Sequence, residues 1–331
     1  TESACRGARA RAARTSSGVR SPPATSPCTP SLPRPRRRTG PSATPAPGSL
    51  PGAQPPRRLP PSAMPGYSYL TPEGREALKR YKYHGQDRSL IYRYILTPMN
   101  AQLIQLFPLW VAPNLITLMG MVSVVFGHLL VFHWAPALTG EAPWWVYVVD
   151  AACTFVYQTL DNLDGRQARR TGEATPLGLL FDHGCDALNT TVSAITLAGV
   201  LQTGPTWKAY ALWVAGALPF FLATWEELYT GELILPVVNG PTEGVLLIVV
   251  IKLWTAFAGP GFWLRKDAWG MCENNTILVV FGVVYGAIAA VCNMVNVYKH
   301  KGRQGPYWRA LAKTGPFLAL NGLALAWGGV H

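Results

Sequence analysis

Four aspartates that lie close together in the sequence are the residues best suited to chemistry. Asp161 and Asp164 are three residues apart, and Asp182 and Asp186 are four residues apart. Such spacings place both members of a pair on one face of a helix. Because only a short segment joins the two pairs, we expect the two faces to meet, which would concentrate four negative charges in one place.

Divalent cations would remove the repulsion within this cluster. Mg²⁺ and Mn²⁺ prefer carboxylate and phosphate oxygens, so two such ions would balance the four aspartates. Gly165 and Gly178 leave room for a pyrophosphate or for close helix contact, and Arg169 could clamp a phosphate. The alternative is a charged loop with incidental spacing. It is disfavoured because ionisable groups beside lipid cost about 2.5–3.5 kcal/mol at a helix centre and are functional by default.

The elements that must position these aspartates are apolar. Hydrophobic residues make up 49% of the 331-residue chain and charged residues 14%, against about 25% charged residues in a soluble domain. Seven apolar stretches approach the ~20 residues that cross a bilayer. The sequence therefore predicts an all-α fold, a polytopic transmembrane helical bundle in which the first aspartate pair ends the second span and the other pair opens the third. The predicted spans centre on residues 115–132, 144–160, 181–201, 210–228, 245–262, 277–297 and 317–330.

Two segments precede the predicted spans. Residues 1–63 contain 11 Arg, no Lys and one acid, so most of the net charge of +12 lies there. This Pro- and Arg-rich segment has no apolar periodicity, and we expect a disordered tail with Met64 as the natural start, rather than a transit-like or RNA-binding arm. Residues 64–106 predict amphipathic helices that lie on the membrane surface, with a soluble subdomain as the alternative.

The placement of Lys and Arg predicts the orientation in the membrane. Basic residues cluster before the first span, after the second and after the sixth, whereas the loop after the first span has none. The positive-inside rule therefore predicts a cytoplasmic N-terminus and a site that faces the cytoplasm. Lys252, Arg265 and Lys266 fall on the opposite side and weaken this prediction.

The stretch from Asp161 to Asp186 resembles the CDP-alcohol phosphotransferase family. It matches, without a gap, the pattern D-x2-D-G-x2-A-R-x8-G-x3-D-x3-D of that family. It resembles the aminoalcohol branch in particular, whose members make phosphatidylcholine and phosphatidylethanolamine. Residues 233–236 (LILP) and 239–244 (NGPTEG) are most similar to the plant-type enzymes, and the likeness runs from Tyr81 to the C-terminus.

This resemblance implies a function and a set of site residues. The implied reaction moves phosphocholine or phosphoethanolamine from CDP-choline or CDP-ethanolamine to diacylglycerol and releases CMP. The four aspartates would hold two Mg²⁺ or Mn²⁺ ions, with the chain in the endoplasmic reticulum or Golgi membrane. The partners would be these substrates and membrane lipids, without nucleic acid, and a homodimer is left open. The CDP part would be contacted by Asn114, Asp161, Gly165 and Arg169, with Gly178 leaving room beside them.

Two residues compete for the role of base. An imidazole is the usual general base near neutral pH, so His183 could take a proton from the attacking hydroxyl, or it could only hydrogen-bond the metal-bound carboxylates. Asp186 is the rival base. Members of the family have a Glu where this chain has Leu179, and if that acid assists the base, this chain lacks the assistance. The chain also stops short of the final spans of this branch, and we expect His331 to be a truncated end.

Alternatives of other classes are weighed against this enzyme. A catalytically silent protein that binds CDP-alcohols is motivated by Leu179, and a divalent-cation transporter would use the four carboxylates. The transporter would need a polar pathway, yet the other spans show few ionisable groups. The sequence Trp225-Glu226-Glu227 and Tyr229 suits an ammonium headgroup or an aromatic belt at the membrane surface, and the belt is the preferred interpretation.

Overall fold

The computed structural model describes residues 70–81, 83–301 and 307–328. The predicted tail, residues 1–63, and the predicted truncated end at His331 lie outside this part of the chain. The regular elements in the described part of the chain are helices and one two-stranded sheet. The predicted all-α fold class is therefore confirmed.

The helices and strands follow one another along the chain with short connections. Short π-helical turns lie at Tyr92–Leu96 and Gly240–Gly244, and 3₁₀ turns lie at Ile104–Leu106 and Pro260–Leu264. The regular elements are α1 (Pro72–Arg80), β1 (Gly85–Asp87), α2 (Thr97–Leu103), α3 (Pro113–Trp134), α4 (Trp144–Thr171), α5 (Pro176–Val200), α6 (Trp207–Thr230), β2 (Leu233–Leu235), α7 (Val245–Ala258), α8 (Asn274–Lys301), α9 (Tyr307–Ala312) and α10 (Gly315–Gly328).

Seven of these helices occupy the seven apolar stretches. Among the described residues, three segments are long and apolar enough to cross a membrane by themselves: Pro113–Trp134, Gly240–Ala258 and Asn274–His300. The helices α4 and α5 carry the aspartates, and α10 has only 14 residues. The number of seven spans stays a prediction.

The turn between α4 and α5 brings the aspartate pairs together. Helix α4 ends at Gly172, whose φ of 75° lies in the left-handed region that glycine adopts without strain. Helix α5 begins after Thr175, whose side-chain oxygen accepts a hydrogen bond from the Gly178 N–H, and Pro176 occupies the first helical turn. These signals stop one helix and start the next within a few residues.

Small residues allow close helix packing. Helix α3 packs against α4 and α5, α4 also packs against α7, and α6 packs against α8. A methyl group on Gly286 would lie 2.8 Å from the carbonyl oxygen of Ala215, so the α6–α8 contact depends on that glycine. Close approach of backbones is typical of helix pairs in lipid.

An N-terminal strap, defined here as residues 81 and 83–89, is tied to the loop between α6 and α7. Strand β1 pairs with β2 in parallel, with Gly85 opposite Leu233. The carboxylate of Asp87 accepts hydrogen bonds from Asn239 Nδ2 at 2.9 Å and from Thr242 Oγ1 at 2.7 Å. The sequence predicted only surface helices in this region, because a three-residue strand has no pattern of its own and depends on its distant partner.

Lys252 is buried inside the bundle. Its Nζ lies 2.8 Å from Asp150 Oδ1 and 2.7 Å from Thr154 Oγ1, and the Lys252 and Asp150 side chains are 1% and 2% exposed. This pair joins α7 to α4. Counting Lys252 among the charges that weaken the predicted orientation is therefore wrong, since its charge is neutralised within the bundle.

Candidate functional site

The structure brings the four predicted aspartates together where α4 ends and α5 begins. Asp161, Asp182 and Asp186 each offer one carboxylate oxygen, and these atoms all lie within 4.8 Å of one another. The carboxyl groups of Asp161 and Asp186 adjoin, and Asp164 lies beside Asp182. The two helix faces meet as their spacing predicts.

Two hydroxyl groups orient the carboxylates of Asp186 and Asp164. Tyr157 donates its hydroxyl to Asp186 Oδ1 at 2.5 Å, and Thr117 Oγ1 donates to Asp164 Oδ2 at 2.5 Å. Neither residue was predicted from the sequence. A signal for Tyr157 exists, because it precedes Asp161 by four residues and so shares its helix face.

Two carboxylate oxygens of the cluster have no hydrogen-bond partner among the described residues. They are Asp161 Oδ1 and Asp182 Oδ1, and both are buried. In the described part of the chain, no Lys or Arg forms an ion pair with any of the four aspartates. Buried carboxylates without partners are costly, and an all-oxygen donor set suits a hard divalent cation. The residues present therefore fit a metal site.

Four of the predicted substrate-binding residues lie side by side in two pairs: Gly178 lies beside Asn114, and Gly165 lies beside Arg169. A methyl group on Gly178 would lie 3.4 Å from Asn114 Oδ1, and one on Gly165 would lie 3.5 Å from Arg169 Nη1. The described residues place no backbone of another helix within 4 Å of either position. Both glycines thus leave space, rather than permitting helix contact, and their role towards a substrate stays a prediction.

Side chains near the end of α4 hold the segment that leads to Asn114. Arg170 Nη1 donates to the carbonyl oxygens of Ile104 and Phe107, both at 2.8 Å. Gln167 Nε2 donates to the carbonyl oxygens of Pro108 and Val111. The positive charge of Arg170 therefore has a structural task besides any role in orientation, and the sequence did not reveal it.

His183 packs against the N-terminal strap. Its ring and that of Tyr83 meet edge to face, with centroids 6.3 Å apart and an interplanar angle of 69°. Burial, together with the negative charges of Glu227 and Asp182, raises the pKa of Tyr83, so this phenol stays protonated. The strap thus supplies one wall of the site.

The aromatic and acidic residues at the end of α6 divide into two groups. Trp225 is 4% exposed and donates from Nε1 to the carbonyl oxygen of Ala310, so it is a packed residue and the belt interpretation is wrong for it. Buried Glu226 accepts a hydrogen bond from Asn296 Nδ2 at 3.0 Å. Glu227 instead meets the strap, where it accepts a hydrogen bond from the hydroxyl of Tyr81 at 3.2 Å.

Comparison with known proteins assigns the class. Residues 110–288 match the CDP-alcohol phosphatidyltransferase model, and the chain belongs to that family. It is 39% identical over 272 residues to choline/ethanolaminephosphotransferase 1 of Arabidopsis thaliana, a match that covers 78% of this chain and 69% of that protein. It is 35% identical over 244 residues to choline/ethanolaminephosphotransferase 1 of Saccharomyces cerevisiae, covering 70% of this chain and 62% of that protein.

These similarities confirm the predicted resemblance to the aminoalcohol branch. The protein is an integral membrane enzyme of a transferase family. The cation-transporter interpretation is set aside, because the four carboxylates are accounted for by the family to which the chain belongs.

Proposed function

We propose that this chain transfers phosphocholine or phosphoethanolamine from CDP-choline or CDP-ethanolamine to diacylglycerol and releases CMP. The observation that carries the proposal is the buried carboxylate cluster with unpartnered oxygens, in a chain 39% identical to a choline/ethanolaminephosphotransferase. A pyrophosphate donor and a cluster of uncompensated carboxylates are compatible only when cations lie between them.

The four aspartates would hold two Mg²⁺ or Mn²⁺ ions. Such ions, when bound, neutralise the pyrophosphate and the departing CMP. The protein's own contribution is to keep the carboxylates in position, which Tyr157 and Thr117 do through their hydrogen bonds. The CDP part would lie in the space left beside the cluster by Gly165 and Gly178, with Asn114 and Arg169 as its polar contacts.

His183 is the better candidate for the base. One oxygen of Asp186 already accepts the Tyr157 hydroxyl, and this carboxylate also adjoins Asp161. The His183 ring is held by Tyr83 at the edge of the cluster. A ring nitrogen of His183 would take the proton of the diacylglycerol hydroxyl, while the oxygen of that hydroxyl bonds to the β-phosphorus. The bond from that phosphorus to the bridging oxygen breaks, and CMP leaves in a direct transfer.

We further propose that the site faces the cytoplasm from the endoplasmic reticulum or Golgi membrane. Arg166, Arg169 and Arg170 lie at the site end of α4, and Lys299 lies near the end of α8. With Lys252 neutralised inside the bundle, the excess of exposed basic charge at the site end supports this orientation. Homodimer formation stays a prediction.

A test is the release of CMP from CDP-choline and from CDP-ethanolamine by membranes that contain this chain. We expect release with Mg²⁺ and diacylglycerol present, and at least about 10²-fold less from membranes that carry the Asp161→Asn chain. Tight binding of either CDP-alcohol without release of CMP would contradict the proposal and support the silent-binder alternative that Leu179 motivates.

A further inference from the structure

A loop at the end of the bundle opposite the carboxylate cluster has no assigned task. We call it the hairpin, and it consists of residues 265–273 between α7 and α8. The segments that flank this connection, Gly240–Ala258 and Asn274–His300, are each long and apolar enough to cross a membrane. Glu273 Oε2 accepts a hydrogen bond from Lys208 Nζ at the start of α6, whereas the strap meets the end of α6. The hairpin therefore lies at the membrane surface remote from the cluster.

The hairpin has a defined backbone shape. Lys266 and Glu273 pair as an isolated antiparallel bridge at its base. The Gly270 N–H donates to the Asp267 carbonyl oxygen at 2.9 Å, and Gly270 has a φ of 67°, which glycine adopts without strain. The Asp267 side chain also accepts a hydrogen bond at Oδ1 from the Met271 N–H at 2.7 Å. The side chains of the tip are thus presented in fixed positions.

Two large apolar side chains project from this tip. Trp269 is 81% exposed and Met271 is 76% exposed. An indole ring combines an apolar body with one N–H donor, and it is favoured where a bilayer changes from acyl chain to headgroup. Because the hairpin lies at that depth, the two side chains are suited to insertion among lipids.

The hairpin also carries two cations beside these apolar side chains. Arg265 and Lys266 are exposed, and neither forms an ion pair with a residue of the part of the chain that the structure describes. Of the two acids in the hairpin, Glu273 is paired with Lys208, and Asp267 accepts hydrogen bonds from N–H groups of the hairpin itself. The hairpin therefore keeps an excess of positive charge at the membrane surface.

The charge of the hairpin indicates which lipid it would attract. A zwitterionic phospholipid compensates its phosphate with its own ammonium group, whereas an anionic phospholipid has a net negative charge. A Lys or Arg near a bilayer surface enriches anionic lipid about fivefold, and a guanidinium can bind two oxygens of one phosphate. Arg265 and Lys266 are adjacent in the sequence, so one lipid headgroup can meet both charges.

We propose that the hairpin is a binding surface for anionic phospholipids in the leaflet opposite the carboxylate cluster. Trp269 and Met271 insert between the headgroups and the upper acyl chains, and Arg265 and Lys266 contact the phosphates. This surface gives the two cations a task on the side of the membrane where the positive-inside rule disfavours them. It is independent of the reaction proposed for the cluster, because the two lie at opposite ends of the bundle.

The test is the quenching of tryptophan fluorescence in proteoliposomes by phospholipids brominated in the upper part of the acyl chain. The contribution of Trp269 is the difference between the full chain and its Trp269→Phe variant. We expect brominated phosphatidylserine to quench this contribution at least about twofold more than brominated phosphatidylcholine at the same mole fraction, and added salt to reduce the difference. Trp144 is the control, because it is 67% exposed at the same end of the bundle and follows a loop without basic residues. Both lipids should quench Trp144 equally.

The double variant Arg265→Gln/Lys266→Gln should abolish the preference for phosphatidylserine and leave quenching by phosphatidylcholine unchanged. Lys299→Gln, which removes an exposed charge near the end of α8, is the matched control and should keep the preference. The thermal unfolding temperature in detergent checks that both variants fold. Equal quenching of Trp269 by the two lipids in the unaltered chain, or a preference that survives in the double variant, would overturn the proposal. Quenching by neither lipid would mean that water, a second copy or another protein surrounds Trp269, and it would also overturn the proposal.

Discussion

Two buried acidic regions on α4 differ in where their compensating charge comes from. Asp161 belongs to the carboxylate cluster, and Asp150 lies about three helical turns before it. Lys252 neutralises Asp150 from within the bundle. In the described part of the chain, no basic side chain pairs with Asp161.

This difference separates a structural acid from a functional one. The Asp150–Lys252 pair is enclosed, and Gly127 makes room for it, since a methyl group there would lie 2.7 Å from Asp150 Oδ1. The cluster around Asp161 lacks such a partner, although burying a lone carboxylate is expensive. Because the described residues supply no counter-charge for the cluster, a bound divalent cation is the partner that its oxygen donors fit.

Removing divalent metal is the strongest way to break the comparison. We expect EDTA to abolish CMP release and added Mg²⁺ or Mn²⁺ to restore it, because no basic side chain among the described residues pairs with the cluster. The measurement is CMP release in membranes before and after restoring metal. The Asp150–Lys252 pair neutralises itself and should be indifferent to EDTA. Full activity in EDTA would contradict the two-metal proposal.

Replacing an aspartate of the cluster should lower turnover, whereas replacing Asp150 should lower stability. Asp161→Asn or Asp182→Asn should lower turnover about 10²-fold or more, by analogy with the loss of one preorganised electrostatic group. Neither should lower the free energy of unfolding without metal, since each removes repulsion. Asp150→Asn is the matched control on the same helix: it leaves Lys252 buried without its counter-charge and should destabilise the fold. Similar stability losses in all three variants would contradict the distinction between Asp150 as a structural acid and the cluster as a functional site.

Breaking the enclosed pair from its basic side should cost stability. Lys252→Met leaves Asp150 charged and buried, and we expect a loss of about 3–5 kcal/mol in the free energy of unfolding. The double variant Asp150→Leu/Lys252→Met should recover most of that loss, because neither charge remains. Unfolding in detergent measures both values, and CMP release per folded molecule should be preserved in the double variant. A double variant no more stable than the single one would show that the pair has another task.

The smallest predicted effect concerns Leu179. It lies one helical turn before Asp182 and His183, and it is half-buried. A Glu there could accept a hydrogen bond from the imidazole and raise its basicity, so Leu179→Glu should raise turnover a few-fold, most clearly near neutral pH. Leu179→Gln, of similar size without the charge, is the control. Equal or lower turnover for Leu179→Glu at matched expression would mean that His183 does not depend on such an acid.

The aspartate cluster and the helical bundle could both be predicted from periodicity along the chain. The spacing of Asp161, Asp164, Asp182 and Asp186 predicted which helix faces meet, and the structure brings them together. The apolar stretches predicted the helical bundle, and the pattern around the aspartates identified the family. Such signals are readable because helical geometry relates residues three or four apart in every helix.

The supporting features depend on residues far apart in the sequence, and only the folded chain reveals them. The sequence counted Lys252 against the predicted orientation, whereas the packing of α7 against α4 places it beside Asp150. The sequence predicted helices in the region of the strap, whereas β1 pairs with β2 there. Tyr83 reaches His183 only because that pairing fixes the strap. No periodic pattern records which of many distant segments will pair, since each contact becomes favourable only when the others have formed.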